Sequence, residues 1–127
     1  MDNILPIFEE GESYYAKLKV LNFEQSKLGP EVSYNMVCMA AESMLTAILM
    51  KNNSAVEHGS ISAMLRAASN FVPVRLGLID EARFINRFHT WCALDAIPSR
   101  KANPDELRRM VQCVSEIRQV VKCYLYN

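Results

Sequence analysis

Residues 82–91, ARFINRFHTW, concentrate side chains that can act on a phosphate group. Arg83 and Arg87 carry planar guanidinium groups, whose paired N–H donors match phosphate oxygens. His89 carries an imidazole that titrates near neutral pH, so it can accept or donate a proton. An arginine and a histidine of this kind could cleave RNA without a metal. The histidine would activate a 2′-hydroxyl, and the arginine would stabilise the charge that develops on the phosphate.

Helical geometry, at about 100° per residue, divides this segment into two faces. The expected core face holds Phe84, Phe88, Trp91 and Cys92, and the opposite, solvent-facing stripe holds Arg83, Asn86, Arg87 and Thr90. His89 lies on the flank, so it does not meet Arg83 in a straight helix. One interpretation is an amphipathic helix with a solvated arginine face. The other is a phosphate site, for which the helix bends near His89 or a second subunit supplies one of the two residues.

The charge of the chain is balanced overall but unevenly distributed. Its 127 residues are enough for one domain with its own core, and the formal net charge of zero argues against a general binder of polyanions. Residues 1–74 carry five Lys or Arg against eight Asp or Glu, whereas residues 75–127 carry nine against six. The basic half could hold a local anion site, or the asymmetry could be a dipole that orients subunits.

The cysteines and the N-terminus indicate a cytoplasmic protein. The four cysteines, at positions 38, 92, 113 and 123, form no CxxC pair, so we interpret them as reduced core residues and expect no metal site. The start MDNILPIFEEGESYY is acidic and lacks the features of a secretory signal. A membrane span needs about 18–20 apolar residues. No run in the sequence approaches that length, so we expect no membrane partner.

Helical periodicity dominates the chain and predicts an all-α, up-and-down bundle of four to five helices. We expect one domain over residues 1–127, with residues 1–11 as an N-terminal extension. A first helix is predicted from about residue 12 to about residue 26. A second, predicted over residues 30–51, is apolar almost all round and should be central and buried.

Three further helices are predicted after that central one. Ser54 with Glu57 forms a capping box for the third helix, which should place Ile61, Met64, Leu65 and Ala68 inward. Breaks at Pro73 and Gly77 precede the helix of residues 82–91. The last helix should be capped at Asn103, and its apolar residues recur with the 3,4 spacing of a bundle seam: Leu107, Met110, Val114, Ile117, Val121 and Tyr124.

Two further polar residues have alternative interpretations. Glu42 belongs to a polar seam of the second helix, which is either a solvent stripe or the place where a carboxylate meets an arginine. His58 lies at the edge of the apolar face of the third helix. It is either a half-buried, hydrogen-bonded histidine or part of a site.

Three stretches in this order resemble HEPN domains, the higher-eukaryote and prokaryote nucleotide-binding family: AAESMLTAILMKNNSAVEHGSISAML, LIDEARFINRFHTW and NPDELRRMVQCVSEIRQVVKCYL. The resemblance extends over about residues 12–126. It matches Glu42 to the glutamate of an alanine-rich helix and His58 to a histidine at the start of the next. Residues 83–89 match the arginine-bearing helix. The resemblance implies a small helical bundle that needs no cofactor.

Two functions follow from the resemblance. The first is a nucleotide- or RNA-binding module that uses Arg87, Asn86, His58 and Glu42, and that acts as a homodimer or with a nucleotidyltransferase partner. The alternative is a metal-independent ribonuclease of the toxin type. Its catalytic pair would be Arg83 and His89, which fit the family's motif of an arginine followed by a histidine.

Overall fold

The structure, a computed structural model, describes residues 4–54, 60–88 and 101–126. These residues contain five helices. They are α1 (Ile4–Lys19), α2 (Pro30–Lys51), α3 (Ile61–Ala68), α4 (Leu76–Asn86) and α5 (Pro104–Tyr126). These residues contain no strand, so the prediction of an all-α fold is confirmed for them. The helices pack as a bundle in which α2 contacts α1, α3 and α5, while α4 packs on α3 and α5.

Helix α2 is the centre of the bundle and has the predicted boundaries. Pro30 occupies its first turn, where a missing N–H costs nothing, and Asn52 caps its other end. Leu45, Ala47 and Ile48, which point in different directions around the helix, are all fully buried, as expected for a helix covered on several sides. Two of its apolar residues are not covered: Val32 and Met39 are exposed by 47% and 42%.

Helix α1 begins earlier and ends earlier than predicted. Residues 4–11, assigned to an N-terminal extension, belong to the helix, and Ile4 and Phe8 reach the core. Two residues of this segment, Pro6 and Gly11, are unfavourable in a helix interior. Pro6, however, lies in the first turn, where proline is tolerated. At Gly11, a Cβ atom would lie 2.9 Å from the carbonyl oxygen of Ala40, so the missing side chain lets α1 approach α2 closely.

Helices α3 and α4 begin at different residues than expected. The N-cap of α3 is Ser60, whose hydroxyl accepts a hydrogen bond from the Ala63 amide at 3.2 Å, so the predicted cap at Ser54 is wrong. Glu57 and His58 lie outside the described residues. Helix α4 begins at Leu76, which places Gly77 in its first turn rather than in the preceding loop. The inward residues predicted for α3 are confirmed: Ile61, Met64, Leu65 and Ala68.

Helix α5 closes the bundle with the predicted cap and seam. Asn103 Oδ1 accepts from the Glu106 amide at 2.8 Å, and Glu106 Oε1 accepts from the Asn103 amide at 3.0 Å. This reciprocal capping box satisfies two N–H groups that a helix start leaves free. The seam is buried at Leu107, Met110, Val114, Ile117 and Val121, and partly buried at Tyr124.

The length and composition of α2 correct the expectation that no segment of the chain is apolar enough to span a membrane. Its 22 residues have a mean hydropathy of 1.3 in their most apolar window, which is enough for a membrane-spanning helix by these two measures. We had expected no such segment. In the bundle, 67% of that window is buried, and the core helix of a globular bundle has the same length and composition.

The close approach of α1 and α2 makes Gly11 a position where alanine should destabilise the fold. In an exposed helix interior, glycine to alanine usually stabilises. At this site the added methyl would meet the Ala40 carbonyl and the Met44 side chain, both at 2.9 Å. We expect Gly11→Ala to lower the free energy of unfolding by about 1–3 kcal/mol, measured by urea denaturation. Ser13→Ala, at an exposed position of the same helix, should leave it unchanged within about 0.5 kcal/mol. Equal stabilities for the two variants would contradict the packing argument.

Candidate phosphate-binding site at the end of α4

Arg83 and Arg87 lie on the outer face of the last turn of α4, and both are exposed. Phe84 and Phe88 lie on the opposite face and are buried, so the predicted division of the two faces is confirmed for these four residues. The Phe88 ring packs 6.3 Å from that of Tyr34, measured between centroids, which anchors this end of α4 to α2. The other members of the segment, His89, Thr90, Trp91 and Cys92, lie outside the described residues.

The two arginines are only loosely held by the protein. Arg83 Nη1 lies 2.8 Å from Asp80 Oδ1, in a pair whose side chains are 53% and 69% exposed. Such solvent-exposed pairs contribute little, so a phosphate oxygen could replace the carboxylate. The Arg87 guanidinium lies 5.9 Å from the centre of the Phe84 ring. Within the described part of the chain, no carboxylate lies within ion-pair distance of Arg87.

Asn86 does not belong to the solvent-facing stripe, and that part of the prediction is wrong. Its Nδ2 donates to Ser62 Oγ at 2.7 Å, and its Oδ1 accepts from the Ile61 amide at 3.2 Å. Because α3 packs against α4 at this point, the side chain is half-buried between the two helices. Asn86 therefore positions the end of α4. The sequence shows an asparagine on a polar face but not the neighbour that covers it.

The end of α4 changes the geometry expected for Arg83 and His89. The last helical residue is Asn86, and Arg87 is the C-cap. The prediction that a straight helix separates the two side chains assumed a helix running through His89. Since α4 ends at Asn86, three residues before His89, a straight helix does not keep the two side chains apart. The position of His89 itself lies outside the described residues.

Most other arginines of the basic half form ion pairs between helices. Arg75 binds Glu116 through two hydrogen bonds of 2.8 and 2.6 Å, and Arg109 binds Glu81 through two of 3.0 and 3.1 Å. The hydrogen bonds from Arg109 hold the pKa of the Glu81 carboxyl below its usual range. Two further arginines also contact acids of distant helices or loops: Arg108 with Glu24 and Arg118 with Glu12. The uneven charge distribution therefore reflects pairing between helices more than an open basic surface.

Glu42 does not meet an arginine in the described part of the chain. It is half-buried on α2, two turns after Tyr34 and one turn after Cys38. The Tyr34 hydroxyl donates to the Ile85 carbonyl at 2.8 Å, which ties this row of α2 to α4. Burial is the main reason that the pKa of the Cys38 thiol is raised to about 11; a hydrogen bond with Tyr34 lowers this pKa, and the charge of Glu42 raises it. His58, the other predicted binding residue, lies outside the described residues.

The described cysteines are free thiols, and one of them differs from the prediction. Cys38 and Cys113 are buried, as expected, and burial raises the pKa of Cys113 to about 12. Cys123 is exposed on α5 instead of buried. Among residues 4–54, 60–88 and 101–126, no group of three His, Cys, Asp or Glu side chains is arranged to hold a metal ion.

Comparison with protein-family models, with curated proteins and with solved structures finds no match to this chain. The resemblance to HEPN domains therefore remains a prediction that depends on the sequence motifs.

The two hydrogen bonds of Asn86 predict that its replacement destabilises the fold. From the sequence, Asn86 is a surface residue whose replacement should have little effect. Asn86→Ala leaves the Ile61 amide, at the buried start of α3, without this acceptor. An unsatisfied group of this kind costs about 1–3 kcal/mol, so we expect a loss of that size in the free energy of unfolding. Asn35→Ala, at an exposed position of α2, is the matched control and should change it by less than about 0.5 kcal/mol. If urea denaturation gave the same midpoint for both variants, Asn86 would not hold α3 to α4.

Proposed function

We propose that this protein is a HEPN-like helical module that binds the phosphate groups of a nucleotide or RNA through Arg83 and Arg87. The observation that supports this most directly is the contrast among its arginines. Arg75 and Arg109 form bidentate ion pairs with acidic residues of other helices. Arg83 instead has one exposed ion pair, with Asp80 of its own helix. Arg87 has no carboxylate partner in the described part of the chain.

The spacing of the two arginines suits a single anion. Residues four apart are neighbours on a helix surface, so the two guanidinium groups can converge on one phosphate or on adjacent phosphates. The charge-assisted hydrogen bonds formed this way are stronger than those between neutral groups. Binding would replace a solvent-exposed pair with Asp80, which is a small loss.

The contacts of Asn86 support a role for both histidines in the same site. The Ile61 amide donates to Asn86 Oδ1 at 3.2 Å, so the start of α3 and the end of α4 are adjacent. Along the chain, His58 precedes Ile61 by three residues and His89 follows Asn86 by three. We propose that His58 and His89 contribute to the ligand site, with Asn86 as the residue that positions the two segments, and that Glu42 adds a polar contact.

A second candidate function, metal-independent RNA cleavage by Arg83 and His89, is favoured by the end of α4 at Asn86. A helix running through both residues would have kept them apart, and that obstacle does not apply. In this mechanism His89 takes the proton of a 2′-hydroxyl, while Arg83 stabilises the charge of the five-coordinate phosphate.

One experiment separates these two functions. A labelled single-stranded RNA is titrated with the protein in the presence of a chelator, and both fluorescence anisotropy and RNA length are followed over a range of salt concentrations. For the binding module, we expect saturable binding of intact RNA. Arg87→Gln should weaken binding and lower the salt slope by about 0.7, the value for one phosphate contact on a single strand. Arg66→Gln removes one exposed arginine from α3 and should leave the slope unchanged.

Cleavage in the same samples would favour the second function. In that case His89→Ala should abolish cleavage while the circular dichroism spectrum stays as in the wild type. Cleavage that persists in His89→Ala would exclude the proposed catalytic pair. Equal effects of Arg87→Gln and Arg66→Gln would exclude the proposed phosphate site.

We further propose that the protein acts in the cytoplasm as a homodimer, without a membrane partner. The free cysteines of the described residues support a reducing compartment. Val32 and Met39 support the dimer. They are exposed apolar residues one heptad apart on α2, and a two-fold axis could pair each with the other residue of a second copy. A nucleotidyltransferase bound to the same face is the alternative partner.

The mass of the purified protein in solution tests the homodimer. Light scattering after size-exclusion chromatography should give twice the monomer mass of 14.4 kDa for the wild type. Met39→Asp should give a monomer, because it places a charge in the apolar contact. Val20→Asp, at a residue that is 82% exposed outside α2, should remain a dimer. A wild-type mass of one chain would contradict the homodimer.

A further inference from the structure

A groove of about 570 Å³ opens where the end of α2, the chain between α3 and α4, and the last turns of α5 meet. Its volume lies in the range of small-molecule sites, about 300–1,000 Å³. The apolar part of its wall consists of Phe71, Val72, Pro73 and Val120. The groove lies before the start of α4, whereas Arg83 and Arg87 lie at its end, so it is separate from the proposed phosphate site.

Among the described residues, the wall of the groove contains one cationic side chain, Lys51, and no acidic one. The Lys51 ammonium lies 4.5 Å from the centre of the Tyr124 ring and donates to the Tyr124 carbonyl at 3.5 Å. The Tyr124 hydroxyl in turn donates to Asn52 Oδ1 at 3.1 Å. The first two contacts place the ammonium beside Tyr124, and the third connects the Tyr124 ring to the end of α2. An ammonium has three donors, so two remain for a ligand. In the described part of the chain, no carboxylate lies within ion-pair distance of Lys51.

We propose that this groove binds an amphipathic carboxylate, a molecule with an apolar chain or ring and a single carboxylate. The apolar part would pack on Phe71, Val72 and Val120, and the carboxylate would accept hydrogen bonds from Lys51. One ammonium balances one carboxylate charge. A phosphate monoester carries more charge at neutral pH, and the described residues of the wall offer no second cation for it. This site does not depend on the function proposed for Arg83 and Arg87.

Cys123 reports on occupancy because its exposed thiol lines the groove, whereas Cys38 and Cys113 are buried. The rate of its alkylation by iodoacetamide is followed by mass spectrometry of the peptide that contains it. Decanoate, below the concentration at which it forms micelles, should slow this rate in a saturable way. Decanol should bind roughly tenfold more weakly, because it lacks the charge-assisted hydrogen bonds. Decyltrimethylammonium should be weaker still.

Two pairs of variants test the two halves of the proposed site. Lys51→Met should weaken decanoate binding roughly tenfold and leave decanol binding unchanged. Lys17→Met, at an exposed lysine of α1, should bind decanoate as the wild type does. Phe71→Ala should weaken both ligands, and Leu76→Ala, at an apolar residue 80% exposed outside the groove wall, should weaken neither. If Lys51→Met does not fold, the Phe71 pair and the comparison of ligands still decide the question.

Three outcomes would overturn the proposal. The first is no saturable protection of Cys123 by decanoate. The second is equal binding of decanoate and decanol, which would make the groove a general apolar surface. The third is decanoate binding by folded Lys51→Met with wild-type affinity.

Discussion

The apolar surface of α2 must be covered on most of its sides, and the bundle is the arrangement that covers it. Ala40, Leu45, Ala47 and Ile48 have no accessible surface, although at about 100° per residue their directions around the helix differ by up to about 160°. No single partner helix could bury them all, so α1, α3 and α5 each contact α2. The close approach at Gly11 is one consequence, because α1 lies where a side chain would meet the backbone of α2.

The charged residues connect the helices around this core, whereas Arg83 and Arg87, at the end of α4, form no ion pair with another helix in the described part of the chain. Glu81 with Arg109 and Glu116 with Arg75 join α4, or the residue before it, to α5. The Arg109 guanidinium also lies 3.8 Å from the centre of the Phe84 ring, so this arginine covers the outer side of an aromatic core residue. The proposed phosphate site therefore depends on which arginines form ion pairs with other helices and which do not. Counting basic residues in the sequence does not show that difference.

The candidate phosphate site and the groove differ in how the fold builds them. The first is an exposed helix end that hydrogen bonds from Asn86 hold against α3. The second is a space left where three segments meet, with an ammonium fixed by contacts to Tyr124. An anion in solution can reach the first from outside, whereas the ligand proposed for the second carries an apolar part.

Sequence alone determined the helical class, the boundaries of α2, the cap of α5 and its buried seam. Each of these follows from residues close together in the chain, such as Pro30 after Gly29 or Asn103 three residues before Glu106. The start of α1 depended on tertiary structure, because packing on α2 outweighs the unfavourable glycine at position 11. The same is true of Asn86 and Lys51, which lie far in sequence from Ser62 and Tyr124, the residues they contact. Periodicity shows which face of a helix is polar, but only packing decides what lies against that face.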